Sequence, residues 1–255
     1  MRRLPLLSPT LSCLVLASLA LSAQAKEIRC DITSDYDLTV NDRSVIFTRE
    51  SGTPKAVVMR QGRLFVDDRW VSLSADDSQR LRQFEQGARK AMPLAHEIGR
   101  DAADIAFTAL GEVAAGISNH PDKTRASLDR ARKSIDRSIG RAISANRFNS
   151  ADLEQGIEQA VAEVMPSVIG DIVGGALTAA LTGDTARIER MDNLDKEVEA
   201  RVAPRAKALE ARAEKLCAQM RELERLDDAL AYRLAGGGVL NLLEEKPDQS
   251  HTSDE

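Results

Sequence analysis

The chain has 255 residues and a formal net charge of −5, from 35 basic and 40 acidic side chains. This balance excludes a bulk nucleic-acid binder, which needs a basic surface, so no nucleic-acid partner is expected. Aromatic residues make up only 3 % of the chain, and we expect closely packed helices rather than an aromatic core. The length allows one large or two small domains.

Residues 1–25 have the pattern of a secretory signal peptide. Arg2 and Arg3 precede an apolar stretch, and Ala23-Gln24-Ala25 fits the site that a signal peptidase cleaves. We expect cleavage before Lys26 and secretion into an oxidising compartment.

Cysteine usage follows from that expectation. Cys13 would leave with the signal peptide, so Cys30 and Cys217 would remain in the mature chain. In an exported protein two cysteines favour one disulfide. Two separate thiols, or pairing between chains, are the alternatives.

Residues 26–74 predict antiparallel strands. Apolar and polar residues alternate from Ile28 to Ile32, and Leu64–Val66 and Trp70–Leu73 flank an Asp67-Asp68 turn. Such a small sheet has one apolar face, which the following helices must cover. The expected fold class is therefore α+β, with a small N-terminal antiparallel β-meander packed on a larger bundle of amphipathic helices.

Residues 75–235 predict the helical region. Asn119-His120-Pro121 breaks it, a helix runs from Asp122 to about Asn146, and the last helix reaches Ala235. Three internal prolines are expected to end or kink helices: Pro93, Pro166 and Pro204. Leucines at every seventh position predict antiparallel or coiled-coil packing of the last helix: Leu209, Leu216, Leu223 and Leu230.

Residues 236–255 predict a glycine hinge and a tail. Gly236–Gly238 ends the helical part, and Val239–Leu243 is an apolar patch able to dock on the body. Residues 244–255 are acidic and polar, which predicts disorder.

The helix that follows Pro121 is strongly basic. Its candidate contacts to an anionic surface are Arg130, Arg132, Lys133, Arg137 and Arg141. A basic amphipathic helix can meet anionic lipid headgroups or an acidic partner. A solvated face is the interpretation we favour, because the helix lacks a bulky apolar anchor.

The stretch from Val164 to Leu181 contains a single charge, Asp171. We favour a buried central helix in which Gly170 and Gly174 let neighbours approach. A membrane span and an oligomer interface are the alternatives. The oligomeric state itself is not predicted.

No catalytic constellation is evident. Glu97, Asp101 and Asp104 share a helical face and could share a proton or bind a cation, but we favour a hydrated surface. His96, His120 and His251 are scattered without the spacing of a zinc site. We therefore predict no catalytic residues, no metal site and no cofactor.

The chain also resembles the YggN-like periplasmic proteins of gammaproteobacteria, a domain of unknown function. The residues that carry the resemblance are Cys30-Asp31-Ile32, Tyr36–Val40, the hairpin from Gly62 to Leu73, Met92-Pro93 and Leu216-Cys217. The resemblance implies a periplasmic location and a Cys30–Cys217 pair. It implies no activity.

Together these observations favour a soluble, non-enzymatic binding or envelope-maintenance protein with a protein or envelope partner of unknown identity. The alternative is a peripheral membrane protein that attaches to anionic lipid through the basic helix. An unrecognised periplasmic hydrolase has the least support.

Overall fold

A computed structural model describes residues 30–144 and 147–246. The predicted signal peptide and the end of the predicted tail, residues 247–255, lie outside the described residues. The strands are β1 (Ile32–Thr33), β2 (Asp37–Asn41), β3 (Val45–Thr48), β4 (Ala56–Arg60), β5 (Arg63–Val66), β6 (Arg69–Trp70), β7 (Ile143–Ser144), β8 (Arg147–Asn149) and β9 (Glu244–Glu245). The helices are α1 (Ala75–Ile117), α2 (Pro121–Ala142), α3 (Ser150–Thr182) and α4 (Thr185–Asp228).

Strands β2 to β6 form the predicted meander, which is part of one antiparallel sheet in the order β6-β5-β4-β3-β2-β8-β7. Alternate residues of its strands point to one face, as a period of two requires. Val45 and Phe47 of β3 lie beside Met59 and Val57 of β4 on that face, and all four are buried. The sheet packs against the larger helical region, which confirms the α+β fold class.

Strands β7 and β8 are a difference from the sequence prediction, which continued α2 to about Asn146. The helix ends at Ala142, and Phe148 pairs with Val40 of β2. Local helical periodicity could not show this, because the partner strand lies about a hundred residues earlier in the chain. The hairpin fastens the connection between α2 and α3 to the sheet.

Helices α1 and α4 lie side by side and antiparallel. Arg201 pairs with Glu112, Arg205 pairs with Asp104, and Gly87 lies against Leu223. Both helices continue through their prolines, as α3 does. The expected breaks at Pro93, Pro166 and Pro204 are therefore absent from these helices.

The chain beyond α4 returns to the sheet. Gly237, with a φ of 81°, lies in a turn in which the Leu234 amide donates to the Gly238 carbonyl at 2.9 Å. Leu240, Leu242 and Leu243 are buried in the core beneath the sheet, as the docking prediction proposed. The sequence prediction placed a disordered tail from residue 244, but Glu244–Glu245 pairs with β1.

Two apolar cores result. The sheet core combines the meander with the first half of α1, the end of α4 and the C-terminal leucines. The helical core lies between the second half of α1, α2 and α3, around Phe107, Leu128, Ile139 and Val168. The α2–α3 pair is antiparallel, since Gly156 lies against Ser138 while Asp171 reaches Thr124.

Candidate functional site

The outward side of α3 is apolar and uncovered. Large side chains recur at every fourth position, six of them exposed and Met165 half-buried, and form what we call the α3 ridge: Ile157, Val161, Met165, Ile169, Val173, Leu177 and Leu181. Leu181 is 86 % exposed, Leu177 is 59 % exposed and Ile169 is 52 % exposed. Large exposed apolar patches are uncommon on soluble monomeric proteins, and interaction sites are one reason for them.

This arrangement corrects the expectation that Val164–Leu181 is a buried central helix. Among the described residues, Ser150–Thr182 is the helix long and apolar enough to cross a membrane, and only 18 % of its most apolar window is buried. The apolar period is the reason, because a row repeating every four residues winds around a helix with 3.6 residues per turn. Only part of such a row can face a core.

Asp171, the single charge in this stretch, is turned inward from the exposed side of α3. Its carboxylate accepts hydrogen bonds from the hydroxyls of Ser118 and Thr124, and Oδ1 lies 3.1 Å from Nδ1 of His120. These bonds hold the pKa of Asp171 well below its usual range. The N-cap residue of α2, His120, makes no capping bond with its side chain. The negative charge of the Asp171 carboxylate lies at this helix N-terminus and stabilises it through the helix dipole.

A close backbone contact fixes which side of α3 faces outward. A Cβ atom at Gly175 would overlap the carbonyl oxygen of Ile117 at the end of α1. Only glycine allows this approach. On the other side of the helix no atom of residues 30–144 and 147–246 lies within 4 Å of a Cβ atom built at Gly170.

The predicted basic residues of α2 fall into two groups. Arg130, Lys133, Arg137 and Arg141 are exposed, whereas Arg132 is half-buried and pairs with Asp104 of α1. Arg137 and Arg141 line a groove of about 420 Å³ between α2 and α3. The geometry thus leaves four of the five predicted residues available to an anionic surface.

The predicted carboxylate face of α1 lines a second groove of about 350 Å³, together with His96. Two of its acids are paired with arginines: Asp104 with Arg132 and with Arg205 at 2.7 Å, and Asp101 with Arg212. His96 is occupied by the carbonyl oxygen of Ile143, 2.9 Å from Nδ1. The groove is therefore an ion-pair network that joins α1 to α2 and α4. Within residues 30–144 and 147–246 no group of three histidine, cysteine or acidic side chains could hold a metal ion.

The two predicted disulfide cysteines lie close together. Cys30 is half-buried and Cys217 is buried, and both are thiols in the structure. Burial, followed by the neighbouring Cys30 thiol, raises the pKa of Cys217 to about 12. The sulfurs are near each other but not at bonding distance, so the disulfide stays a prediction.

Asp227 is a buried carboxylate that sequence reasoning missed. Its Oδ2 accepts from the amides of Leu242 at 2.6 Å and Leu243 at 3.0 Å, which ties the C-terminal segment to α4. Burial raises the pKa of Asp227 to about 6, although both amide bonds oppose that shift. Asp227 lies among other charged residues near the end of an amphipathic helix, and nothing in that local pattern indicates that its side chain is buried.

The apolar repeat of α3 could have been recognised. A core-facing stripe alternates steps of three and four residues, whereas the row from Ile157 to Leu181 uses steps of four only. The inward position of Asp171 had a weaker signal, the polar break at Ser118–His120 before a helix without a good N-cap residue.

Comparison with known proteins identifies one family for this chain. The chain matches no curated protein and no solved structure. The sequence model of one family, described as a protein of unknown function (DUF2884), matches residues 30–243. That range includes both cores, all four helices and both cysteines. The chain therefore belongs to the DUF2884 family.

Proposed function

We propose that this protein is an exported, non-enzymatic binding protein that engages a macromolecular partner through the α3 ridge. The observation that carries the proposal is the exposure of Ile169, Val173, Leu177 and Leu181 on one helix. Leaving such side chains in water costs about 1 to 2 kcal/mol each relative to burial, and a partner would recover that free energy.

The pairing of the titratable groups supports a binding role over catalysis. Asp101 and Asp104 are engaged by arginines, and Asp227 holds the C-terminal segment. A general acid or base needs a proton-transfer partner within reach of bound substrate. In the described part of the chain these carboxylates are instead used to join elements.

The periplasmic location and the kinship to YggN-like proteins belong to the same proposal. The signal-like residues 1–25 support export. Export in turn predicts that Cys30 and Cys217 become joined, which would close a loop spanning most of the chain and stabilise it by up to about 5 kcal/mol. Mass spectrometry of protein from the periplasm, alkylated with and without a reductant, should show two thiols labelled only after reduction.

In-cell photocrosslinking tests the binding role. A benzophenone amino acid replaces Val173 on the ridge, and in a matched control it replaces Glu199, an exposed residue of α4. We expect light-dependent adducts from position 173 and none from position 199. If position 173 forms no adduct under any growth condition, the ridge has no partner and the proposal fails.

Attachment to an anionic membrane is the second candidate. The observation that favours it is the row of exposed basic residues on α2: Arg130, Lys133, Arg137 and Arg141. Flotation with phosphatidylglycerol vesicles should then be abolished by salt. Changing these four residues to glutamate should abolish it as well, and unchanged flotation would exclude this candidate.

A further inference from the structure

We propose that the partner of the α3 ridge is the same ridge of a second copy of this chain, related to the first by a two-fold axis. This inference rests on the proposed function, since it names the occupant of the same surface. Four features of α3 support it: the relief of its surface, the open space beside the ridge, its charge and its area.

The arrangement of side chains on the surface of α3, which we call its relief, suits packing against a second helix. Side chains four residues apart form a ridge inclined by about 26° to the helix axis, and two such ridges interdigitate at about 50° in the commonest class of helix packing. The α3 ridge winds around the helix, and its most exposed part covers three such steps, from Ile169 to Leu181. This part can enter the groove of an identical helix.

The groove is present beside the ridge. Small residues occupy the next row of the surface, at Ala162, Pro166 and Gly170, and all three are exposed. Gly170 has open space around it within its own chain. Helical glycine costs stability relative to alanine, and no residue in the described part of this chain packs closely enough there to require it. A ridge from a second copy would occupy that space.

The charge suits a two-fold pair. A two-fold axis brings the same patch of both copies together, so like charges on the patch would oppose each other. From Met165 to Leu181 the only charge is Asp171, and it is bonded to Ser118 and Thr124. An anionic bilayer fits less well, because Glu154 and Glu158 are exposed near the start of the ridge.

The area suits a weak and reversible interface. An aliphatic side chain exposes about 120 Å² when fully accessible, on the scale that relates area to transfer free energy. Only the outward part of the row can enter one interface, and Ile169, Val173, Leu177 and Leu181 present roughly 300 Å² per copy. Two copies would bury about 600 Å² through these side chains, which lies in the range of weak interfaces.

Sedimentation equilibrium tests the inference at protein concentrations between about 1 and 100 μM. The sample is the protein purified from cells as they process it. We expect a reversible dimer. Val173→Glu should raise the dimer Kd at least a hundredfold, because it places two opposed carboxylates in the interface. Gly170→Leu should raise the Kd at least tenfold by filling the groove.

Gly140→Leu is the matched control for Gly170→Leu. Gly140 is an exposed helical glycine of α2 that likewise has nothing within 4 Å, so the same change should leave the Kd within twofold. Circular dichroism melting confirms that each variant folds. Since Gly170→Leu favours the helix of the monomer, loss of dimer there cannot come from unfolding.

The outcomes separate this inference from the proposed function. A monomer at 100 μM, or a dimer that tolerates both ridge substitutions, overturns pairing between copies. If such a protein still forms adducts from position 173, or floats with phosphatidylglycerol vesicles unless Val173 is changed to glutamate, the binding role stands with a different occupant. If neither occurs, both proposals fail.

Discussion

The two cores of this molecule differ in how completely the chain covers them. The sheet core is covered by α1, the end of α4 and the C-terminal leucines, and Val45, Phe47 and Val57 have no exposed surface. In the helical core, α3 packs on α1 and α2 with one side only. Its other side is uncovered and leaves Leu177 and Leu181 in solvent. The same chain therefore stabilises itself at one end and offers an apolar surface at the other.

This comparison separates stability from function. Side chains of the sheet core should matter for folding wherever they are changed, whereas those of the ridge should matter for association and little for folding. Asp227 and Asp171 extend the contrast to carboxylates, since the first is fully buried beside the sheet core and the second lies at the margin of the helical core.

The largest expected effect is on the sheet core. Phe47 contacts Tyr36 and Phe84 edge to face, with ring centroids 6.1 and 6.0 Å apart. Phe47→Ala should lower the free energy of unfolding by about 3 to 5 kcal/mol. Leu177→Ala on the ridge should change it by less than about 0.5 kcal/mol in dilute solution. Urea unfolding measures both, and equal losses would contradict the comparison.

The next effect is a pH dependence at Asp227. Its pKa is about 6 in the folded chain against 3.8 for an ordinary aspartate, so folding favours the protonated form. The stability from this group is complete below about pH 4 and is lost as the pH rises through 6, by up to about 3 kcal/mol.

Asp227→Asn should remove that dependence. The amide oxygen of the asparagine can keep the hydrogen bonds from the amides of Leu242 and Leu243. The free energy of unfolding of the variant should therefore rise relative to that of the wild type as the pH increases from 4 to 7. Urea unfolding across that range measures the gap. Asp195→Asn, at an exposed position of α4, is the control and should follow the wild type; a constant gap for Asp227→Asn would show that the carboxylate titrates normally.

A smaller effect distinguishes two glycines of α3. Gly175→Ala should cost about 1 to 3 kcal/mol, because its Cβ would meet the Ile117 carbonyl. Gly170→Ala should instead raise stability by up to about 1 kcal/mol, since the position is open. Thermal melting of the pair tests the orientation of α3, and the opposite ranking would mean that the other side of the helix faces inward.

The smallest effect is at Asp171. Asp171→Asn should cost about 1 kcal/mol at pH 7 through the weakened N-terminus of α2. Because the folded pKa is depressed, this stability is present above about pH 4 and is lost as the pH falls. The gap between wild type and variant should therefore close in acid, the opposite sign to Asp227. Unfolding measured from pH 7 down to about pH 2 tests this, and a gap that does not narrow at all below pH 4 would assign the effect to packing.

The meander and the helical region could be predicted from the sequence because their signals are local. Alternation marks β3 to β5, and the polar break at Asn119-His120-Pro121 marks the start of α2. The β7–β8 hairpin could not be predicted in this way, since Phe148 finds its partner Val40 only in the folded chain. The prediction that Val164–Leu181 is buried was wrong for a related reason. Apolar composition indicates that a segment favours burial, but it does not show which residues or which other molecule would bury it.

The candidate site was predictable in its residues more than in its geometry. The basic row of α2 and the paired carboxylates of α1 were identified, and the structure shows which of them are exposed and which are bonded. Asp227 could not be found, because its burial depends on leucines that arrive from the C-terminal segment.

The return of the C-terminal segment to the sheet core has a consequence for the synthesis of the chain. Leu240, Leu242 and Leu243 complete the core that begins at Tyr36, so the meander lacks part of its cover until nearly the whole chain has been made. At usual translation rates this interval lasts roughly ten to forty seconds. During that time the early strands would be exposed to degradation or self-association, and a chaperone that holds nascent chains would be their natural protection.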